Sequence, residues 1–486
     1  MSRRSVPVGG LVAWSALAIS AVVVAWSLPI DDFWLTLASG EAIVGGASVT
    51  EHLPFSWTDE RNAGLNPQWG AQVVLGGTGS LGVALAVNAL LVATGLGVTA
   101  LRAGARARGI AVAVASLLIM VALAPHLLAR AQSFSIALFP IGLLLLDRYR
   151  QRSWLPVAFG LVIAVWANLH GAFVIGQVAA LAWLVAALVT RQSRTTMALT
   201  ALAALLAPLL NPAGLDLLAY AYAQPATDVV REISIEWQPA WPWTAVAAPF
   251  WAIVALVIAG RVTRRPGAPL AELLLLGALA VLAATGVRHI PWFLLAATPV
   301  LGSDVQAFLE QRPRLSRALG DLPRGLRGSR GVRTVAVIGL IAVAGQLVRP
   351  SLPAGLARLT PDAPVELTDA LAPELRDGDR VLNEQVWGGY LAYRFGGRLV
   401  TAMDGRLEIR SRETWQGYFD LMHGDADPAA RLAQEGVSWA LLSGDRATLR
   451  SKLEAAGWSV VDESAQGVLM RGPTPTSLSY SVTSTS

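Results

Sequence analysis

Long apolar runs separated by short polar connections set the pattern of this chain. The runs cover residues 10–29, 80–100, 110–128, 133–146, 155–167, 173–189, 196–210, 246–260, 270–285, 289–302 and 334–348. A crossing helix needs about 20 apolar residues, or about 17 at the short end, so the pattern predicts about eleven membrane helices. Almost no connection separates the runs on either side of 168–171 and of 288–291, which predicts tight turns there. The first run follows Met1–Arg4, is too long for the apolar stretch of a secretion signal and lacks an A-x-A site. It reads as an uncleaved first helix.

After Pro350 the pattern changes. Short β-like runs (Arg380-Val381-Leu382-Asn383, Arg398-Leu399-Val400-Thr401, Ser438-Trp439-Ala440-Leu441-Leu442 and Gly467-Val468-Leu469-Met470) alternate with helical patterns at 413–422, 428–435 and 447–456. The expected organisation is a polytopic membrane domain over 1–350 with a first outer loop at 31–68, a soluble α/β domain over 351–472, and a disordered Ser/Thr/Pro-rich tail over 473–486. No internal repeat of the inverted-transporter kind is visible.

Composition sharpens this picture. Of 486 residues, 54% are hydrophobic and only 15% charged, too little polar surface for a soluble multidomain enzyme. The chain has 0 Cys, which removes disulfides, thiolate metal sites and thiol nucleophiles. Lys+Arg is 38 against Asp+Glu 33, and Lys452 is the single lysine. A pI of 9.9 hints at nucleic acid in a soluble protein. Here the arginines sit in alternate connections between apolar runs, which is a topology signal and gives no reason to expect nucleic acid. About twenty, from Arg3 and Arg4 through Arg102, Arg148, Arg191, Arg261 and Arg265 to the block Arg312–Arg333, fall on one side, against about four on the other: Arg61, Arg130, Arg231 and Arg288. This predicts a multi-pass plasma-membrane protein with its N-terminus in the cytoplasm and its C-terminal domain outside.

Ionisable residues are costly within a bilayer, so their distribution is informative. They gather, together with amide and tryptophan side chains, at the outer ends of the runs: Asp31 and Asp32, His126 and Arg130, Asn168 and His170, Asn211, Glu232, Glu236 and Trp237, then Arg288, His289 and Trp292. A bundle whose outer connections converge can form a polar cavity at headgroup depth, where a lipid-linked phosphate resides. Arg130 and Arg288 could neutralise a phosphoryl group, and a carboxylate could deprotonate an acceptor hydroxyl or hold a divalent cation. Each piece also has a plainer reading: solvated interface acids, a hydrogen-bonded turn histidine at His170, an aromatic belt of Trp237, Trp241 and Trp243, and an Arg288 that reaches to headgroups. Glu272, near an inner helix end, reads as snorkelling. Gly77-Thr78-Gly79-Ser80-Leu81-Gly82 matches a dinucleotide fingerprint by letter, but no strand precedes it.

Several blocks resemble bacterial membrane glycosyltransferases of the GT-C type. They are Asp32-Phe33-Trp34-Leu35-Thr36-Leu37-Ala38-Ser39-Gly40-Glu41, Pro54-Phe55-Ser56-Trp57-Thr58, Asn66-Pro67-Gln68-Trp69, Arg130-Ala131-Gln132-Ser133-Phe134-Ser135, Trp166-Ala167-Asn168-Leu169-His170-Gly171, Asn211-Pro212-Ala213-Gly214, Glu236-Trp237-Gln238-Pro239 and Arg288-His289-Ile290-Pro291-Trp292. In the C-terminal part, Trp387-Gly388-Gly389-Tyr390-Leu391 and Met403-Asp404-Gly405-Arg406 are similar to the group's soluble module. The resemblance implies a GT-C-like core of about eleven helices with a small α/β domain, a polyprenyl-phosphate sugar donor, and an essential Asp in the first outer loop. That Asp maps to Asp32, with Asp31 second. Arg288, Arg130 and His289 are then expected at the donor phosphate, and His170, Asn168, Glu236 and Trp237 at the substrates. The acceptor would be an envelope glycan, lipid or protein; the cofactor is left open, a divalent cation being one reading. Thr36 and Pro67-Gln68 stand where this group commonly has His and His-Glu.

Two other classes compete with a transferase. A lipid or solute transporter or flippase usually needs ionisable or broken-helix sites near the bilayer midplane, and the run interiors are clean. A non-catalytic envelope scaffold would accommodate the departures at Thr36 and Pro67-Gln68.

Overall fold

The structure, a computed structural model, describes residues 8–25, 27–51, 53–58, 65–223, 228–264, 268–352, 355–425 and 427–473. Arg3, Arg4, Arg61, Arg265 and the tail from 474 onward lie outside the described residues. The chain divides into two compact units, Met1–His52 with Gly64–Gly355, and Leu53–Ala63 with Leu356–Ser486.

The first unit is helical. Its elements begin with α1 (Val8–Ala25), α2 (Asp31–Val44), α3 (Trp69–Gly76), α4 (Leu81–Gly104) and α5 (Ile110–Leu123). Then come α6 (Gln132–Tyr149), α7 (Leu155–Leu169), α8 (Phe173–Thr190), α9 (Arg194–Leu206), α10 (Leu215–Ala223) and α11 (Asp228–Ile233). The unit closes with α12 (Ala248–Arg264), α13 (Leu270–Thr285), α14 (Ile290–Glu310), α15 (Pro313–Leu319) and α16 (Gly328–Val348). Every apolar run read from the sequence overlaps one of these helices. Among the described residues, Leu81–Gly104, Phe173–Thr190, Val287–Glu310 and Gly328–Ser351 make 4 stretches long and apolar enough to cross a membrane, and a pair bent by 107° at residues 211–214 makes a fifth if it is one span. α1, α5, α7, α12 and α13 are shorter apolar helices. Pro125 and Pro208 help to shorten α5 and α9, since each sits in a 3-10 turn that ends its helix. The expected outer loop at 31–68 is not all loop: α2 occupies its first part and buries Phe33, Trp34 and Leu37.

Packing between apolar helices depends on close backbone approach, which small residues permit. A Cβ at Gly40 would strike the Gln72 carbonyl, and one at Gly76 would strike the Leu37 carbonyl, so α2 and α3 meet backbone to backbone. Gly70 brings α3 against the Asn168 carbonyl at the end of α7. Aromatic rings fill the core, with Phe139 edge-on to Trp292 at 5.9 Å and Phe250 edge-on to Phe293 at 5.2 Å.

Buried charge at one end of this unit corrects the expectation for Glu272. It does not snorkel: it is 2% exposed and paired with Arg102 and Arg106. Arg102 also holds Asp147 at 2.9 Å, and Arg261 pairs with Asp304. Desolvated charges demand such partners, and these arginines can reach them along their helices.

The second unit contains α17 (Gly355–Leu359), α18 (Val365–Leu371), β1 (Asp379–Asn383), α19 (Gly388–Phe395) and β2 (Leu399–Thr401). It continues through α20 (Arg412–His423), α21 (Pro428–Gln434), β3 (Trp439–Ser443), α22 (Ala447–Ala455), β4 (Ser459–Ser464) and β5 (Gly467–Arg471). The sheet order is β2-β1-β3-β5-β4, with β1 parallel to β2 and β3, and β5 antiparallel to β3 and β4. Residues 53–58 belong to this unit. Ser56 bridges Thr401 in parallel, and its hydroxyl donates to Asp404 Oδ2 at 2.7 Å. Asp404 is fully buried; burial opposes its charge, but Arg406 and Arg410 outweigh that and hold the carboxyl far below the usual range.

Candidate active site

The site assembles at the end of the helical unit opposite the Arg102–Glu272 pairs. Asp31 and Asp32 open α2, after the extended Ile30. The first turn of a helix attracts negative charge, which suits carboxylates at these positions. The Asp32 side chain is 52% exposed.

Arg130 reaches Asp32 although the two are far apart in sequence. Pro29 and Ala129 form a parallel bridge, and the Ala129 N–H donates to Leu28 O at 2.9 Å. This backbone pairing sets Arg130 Nη1 4.0 Å from Asp32 Oδ2. The same Nη1 donates to Glu236 Oε1 at 2.6 Å. One guanidinium, 10% exposed, thus faces two carboxylates. Burial works to raise the Glu236 pKa, but Arg130 and then Arg288 outweigh it and hold the carboxyl below its ordinary range.

Glu236 lies in a 3-10 turn that is tied to the turn before α14. Val287 N–H donates to Gln238 O at 3.1 Å, and Ala240 N–H to Ala284 O at 3.2 Å. Arg288 therefore stacks over Trp237, its guanidinium carbon 3.9 Å from the ring centroid. His289 packs edge-on against the same ring at 6.4 Å, and its buried Nδ1 makes no hydrogen bond among the described residues. This stacking is a cation–π contact between the guanidinium face and the indole. Trp241 and Trp243 stack on each other at 5.1 Å and are largely exposed, in keeping with an interfacial belt.

His170 sits at the α7–α8 turn. Trp166 Nε1 donates to Ser135 Oγ at 2.6 Å, Ser135 Oγ lies 2.8 Å from His170 Nδ1, and Ala172 N–H donates to that Nδ1 at 3.3 Å. Burial, followed by the fields of Arg288 and Arg130, pushes the imidazole from its ordinary 6.5 down to about 3. Asn168 is used at both ends of its amide: Oδ1 accepts from Trp69 Nε1 at 2.9 Å, and Nδ2 donates to Ala164 O at 2.8 Å. Asn211 likewise caps α7, donating to Ala167 O at 3.1 Å.

Asp32, Arg130 and Glu236 thus form one cluster, Trp237 joins it to Arg288 and His289, and His170 lies within the field of both arginines. Asp31 adjoins Asp32, while Asn168 ties α3 to α7. Sequence reasoning missed Ser135, Trp166 and Trp69 as partners; all three stand inside the blocks that carry the family resemblance. Among the described residues no group of three or more His, Asp or Glu is arranged to hold a metal ion.

No family model and no curated protein matches the chain. Solved structures do resemble it. ArnT from Cupriavidus metallidurans in the apo state has a TM-score of 0.54 at 16% identity, covering 96% of this chain and 98% of that one. The same protein bound to undecaprenyl phosphate gives 0.53 at 16%, covering 96% and 99%. The archaeal oligosaccharyltransferase AglB from Archaeoglobus fulgidus, in complex with an inhibitory peptide and a dolichol-phosphate, gives 0.50 at 11%, covering 96% and 75%. These likenesses show the fold. It is GT-C-like, as the sequence blocks imply.

Proposed function

We propose that the chain is a membrane glycosyltransferase that moves a sugar from a polyprenyl-phosphate donor to an envelope glycan, lipid or protein hydroxyl on the extracytoplasmic face. One observation carries the reading: a half-exposed carboxylate, Asp32, stands 4.0 Å from a buried guanidinium, Arg130, with Arg288 held nearby on Trp237. The ArnT neighbour binds undecaprenyl phosphate and the AglB neighbour a dolichol-phosphate, which supports a polyprenyl-linked donor.

In this reading the acceptor hydroxyl attacks the anomeric carbon while Asp32 takes its proton. The bond from that carbon to the phosphate oxygen breaks, and the electron pair leaves with the lipid phosphate. Arg130 and Arg288 stabilise the charge that develops there, and a single displacement inverts the anomeric centre. Glu236 balances Arg130 before the donor arrives, and Asp31 sits beside Asp32 at the positive, N-terminal end of α2. Residues 1–350, apart from the stretch 53–58 that packs within the α/β unit, are assigned to the membrane domain with its outer loop at 31–68, and 351–472 to the outer α/β domain. The arginine bias supports a cytoplasmic N-terminus.

Replacing Asp32 by Asn tests the mechanism. Transfer from a polyprenyl-phosphate sugar should fall on the order of a hundredfold or more, with lipid-phosphate binding retained. Undiminished transfer removes Asp32 from the chemistry.

A further inference from the structure

We infer that His170 is a neutral, single-tautomer hydrogen-bond donor whose Nε2–H meets a phosphoryl oxygen of the lipid-linked donor. This inference rests on the functional reading above and deepens it.

The tautomer follows from the neighbours. A backbone N–H only donates, so the 3.3 Å approach of the Ala172 N–H requires a lone pair on His170 Nδ1. An indole N–H also only donates, so Ser135 Oγ accepts from Trp166 at 2.6 Å. The serine proton is then free to point at Nδ1, 2.8 Å away. Two donors converge on one ring nitrogen, and a neutral imidazole has one proton to place; it sits on Nε2. An imidazolium would set an N–H on Nδ1 against both donors. The fields of Arg130 and Arg288 oppose that protonation as well.

Nε2 itself makes no hydrogen bond among the described residues, and His170 is only half-buried. A neutral donor within the field of two guanidiniums suits an anionic oxygen that only accepts. It adds a directed hydrogen bond without a proton that could pass to the leaving phosphate, and its strength stays constant across ordinary pH. This division of labour leaves charge neutralisation to the arginines and orientation to His170.

The experiment uses the full chain in lipid nanodiscs, with undecaprenyl phosphate as the probe and His170→Ala and His170→Gln as variants. Glutamine retains an amide N–H near the Nε2 position. Nitrogen-15 spectra, assigned by subtracting the His170→Gln spectrum, should show an Nε2–H tautomer with no imidazolium from ~pH 5 to 8. Undecaprenyl phosphate should bind on the order of tenfold more weakly to His170→Ala at every pH in that range, and His170→Gln should recover most of the loss. An imidazolium, an Nδ1–H tautomer, unchanged binding by His170→Ala, or a well-folded His170→Gln as weak as the Ala variant each overturns the inference. Wild type that shows the Nε2–H tautomer yet binds no polyprenyl phosphate overturns the reading of the site instead.

Discussion

His170 and Glu236 sit in the same positive field, and both make the protein sensitive to acid. His170 is about 3 in the fold against an ordinary 6.5, so the unfolded chain takes up this proton first. Its contribution to stability is complete above the ordinary value and declines as pH falls toward the folded one. Glu236, held below its ordinary range, contributes fully above the unfolded carboxylate value and loses that contribution as pH falls through the folded one. The apparent Tm should therefore be level near neutrality and fall progressively below about pH 6.5. His170→Gln should flatten the upper part of that fall; a His170→Gln profile matching wild type would show that the imidazole is not held neutral. At this scale the sequence made the candidates legible by type and position, because ionisable residues stand out against apolar runs. It did not reveal that Arg130 pairs with Glu236 or that both ends of the Asn168 amide are occupied. Those partners depend on turns that only the assembled bundle creates.

Helix α2 carries the acid pair, and its placement depends on two glycines. Gly40 and Gly76 let α2 and α3 touch, and Trp69 at the start of α3 ties that pair to Asn168 on α7. A methyl group at Gly40 must push the Gln72 carbonyl aside. Gly40→Ala should cost ~1–3 kcal/mol and lower transfer by displacing Asp32, whereas Gly97→Ala, where an added Cβ meets nothing within 4 Å, should be neutral. Thermal unfolding and a transfer assay on both variants check this. The apolar helices were legible because a long apolar run is itself the signal, although fewer of them are long enough to span than the about eleven that the runs predict. Helix α2 was not, since its short apolar face lies in a stretch bounded by polar turns and reads as a loop. In the second unit β1, β2, β3 and β5 matched apolar runs, but the edge strand β4 escaped because much of it is exposed and lacks a buried period.

The helical unit keeps its ionised side chains at two ends, with different partners at each. One end buries Glu272 and Asp304 in compensated arginine pairs, and the other leaves Asp32 and Arg288 accessible. The absence of cysteine makes sidedness simple to measure. In intact spheroplasts, a membrane-impermeant thiol reagent should label Trp243→Cys directly and Arg152→Cys only after permeabilisation; the reverse order would overturn the proposed orientation. The bridge between Ser56 and Thr401 has a further consequence for biosynthesis. Ser56 finds its partner Thr401 345 residues later in the chain, and Arg406 Nη1 donates to the Leu53 carbonyl at 2.6 Å. A ribosome must therefore complete nearly the whole membrane bundle before this stretch can pair, and a message cut after residue 355 releases a product whose early segment has no sheet to join.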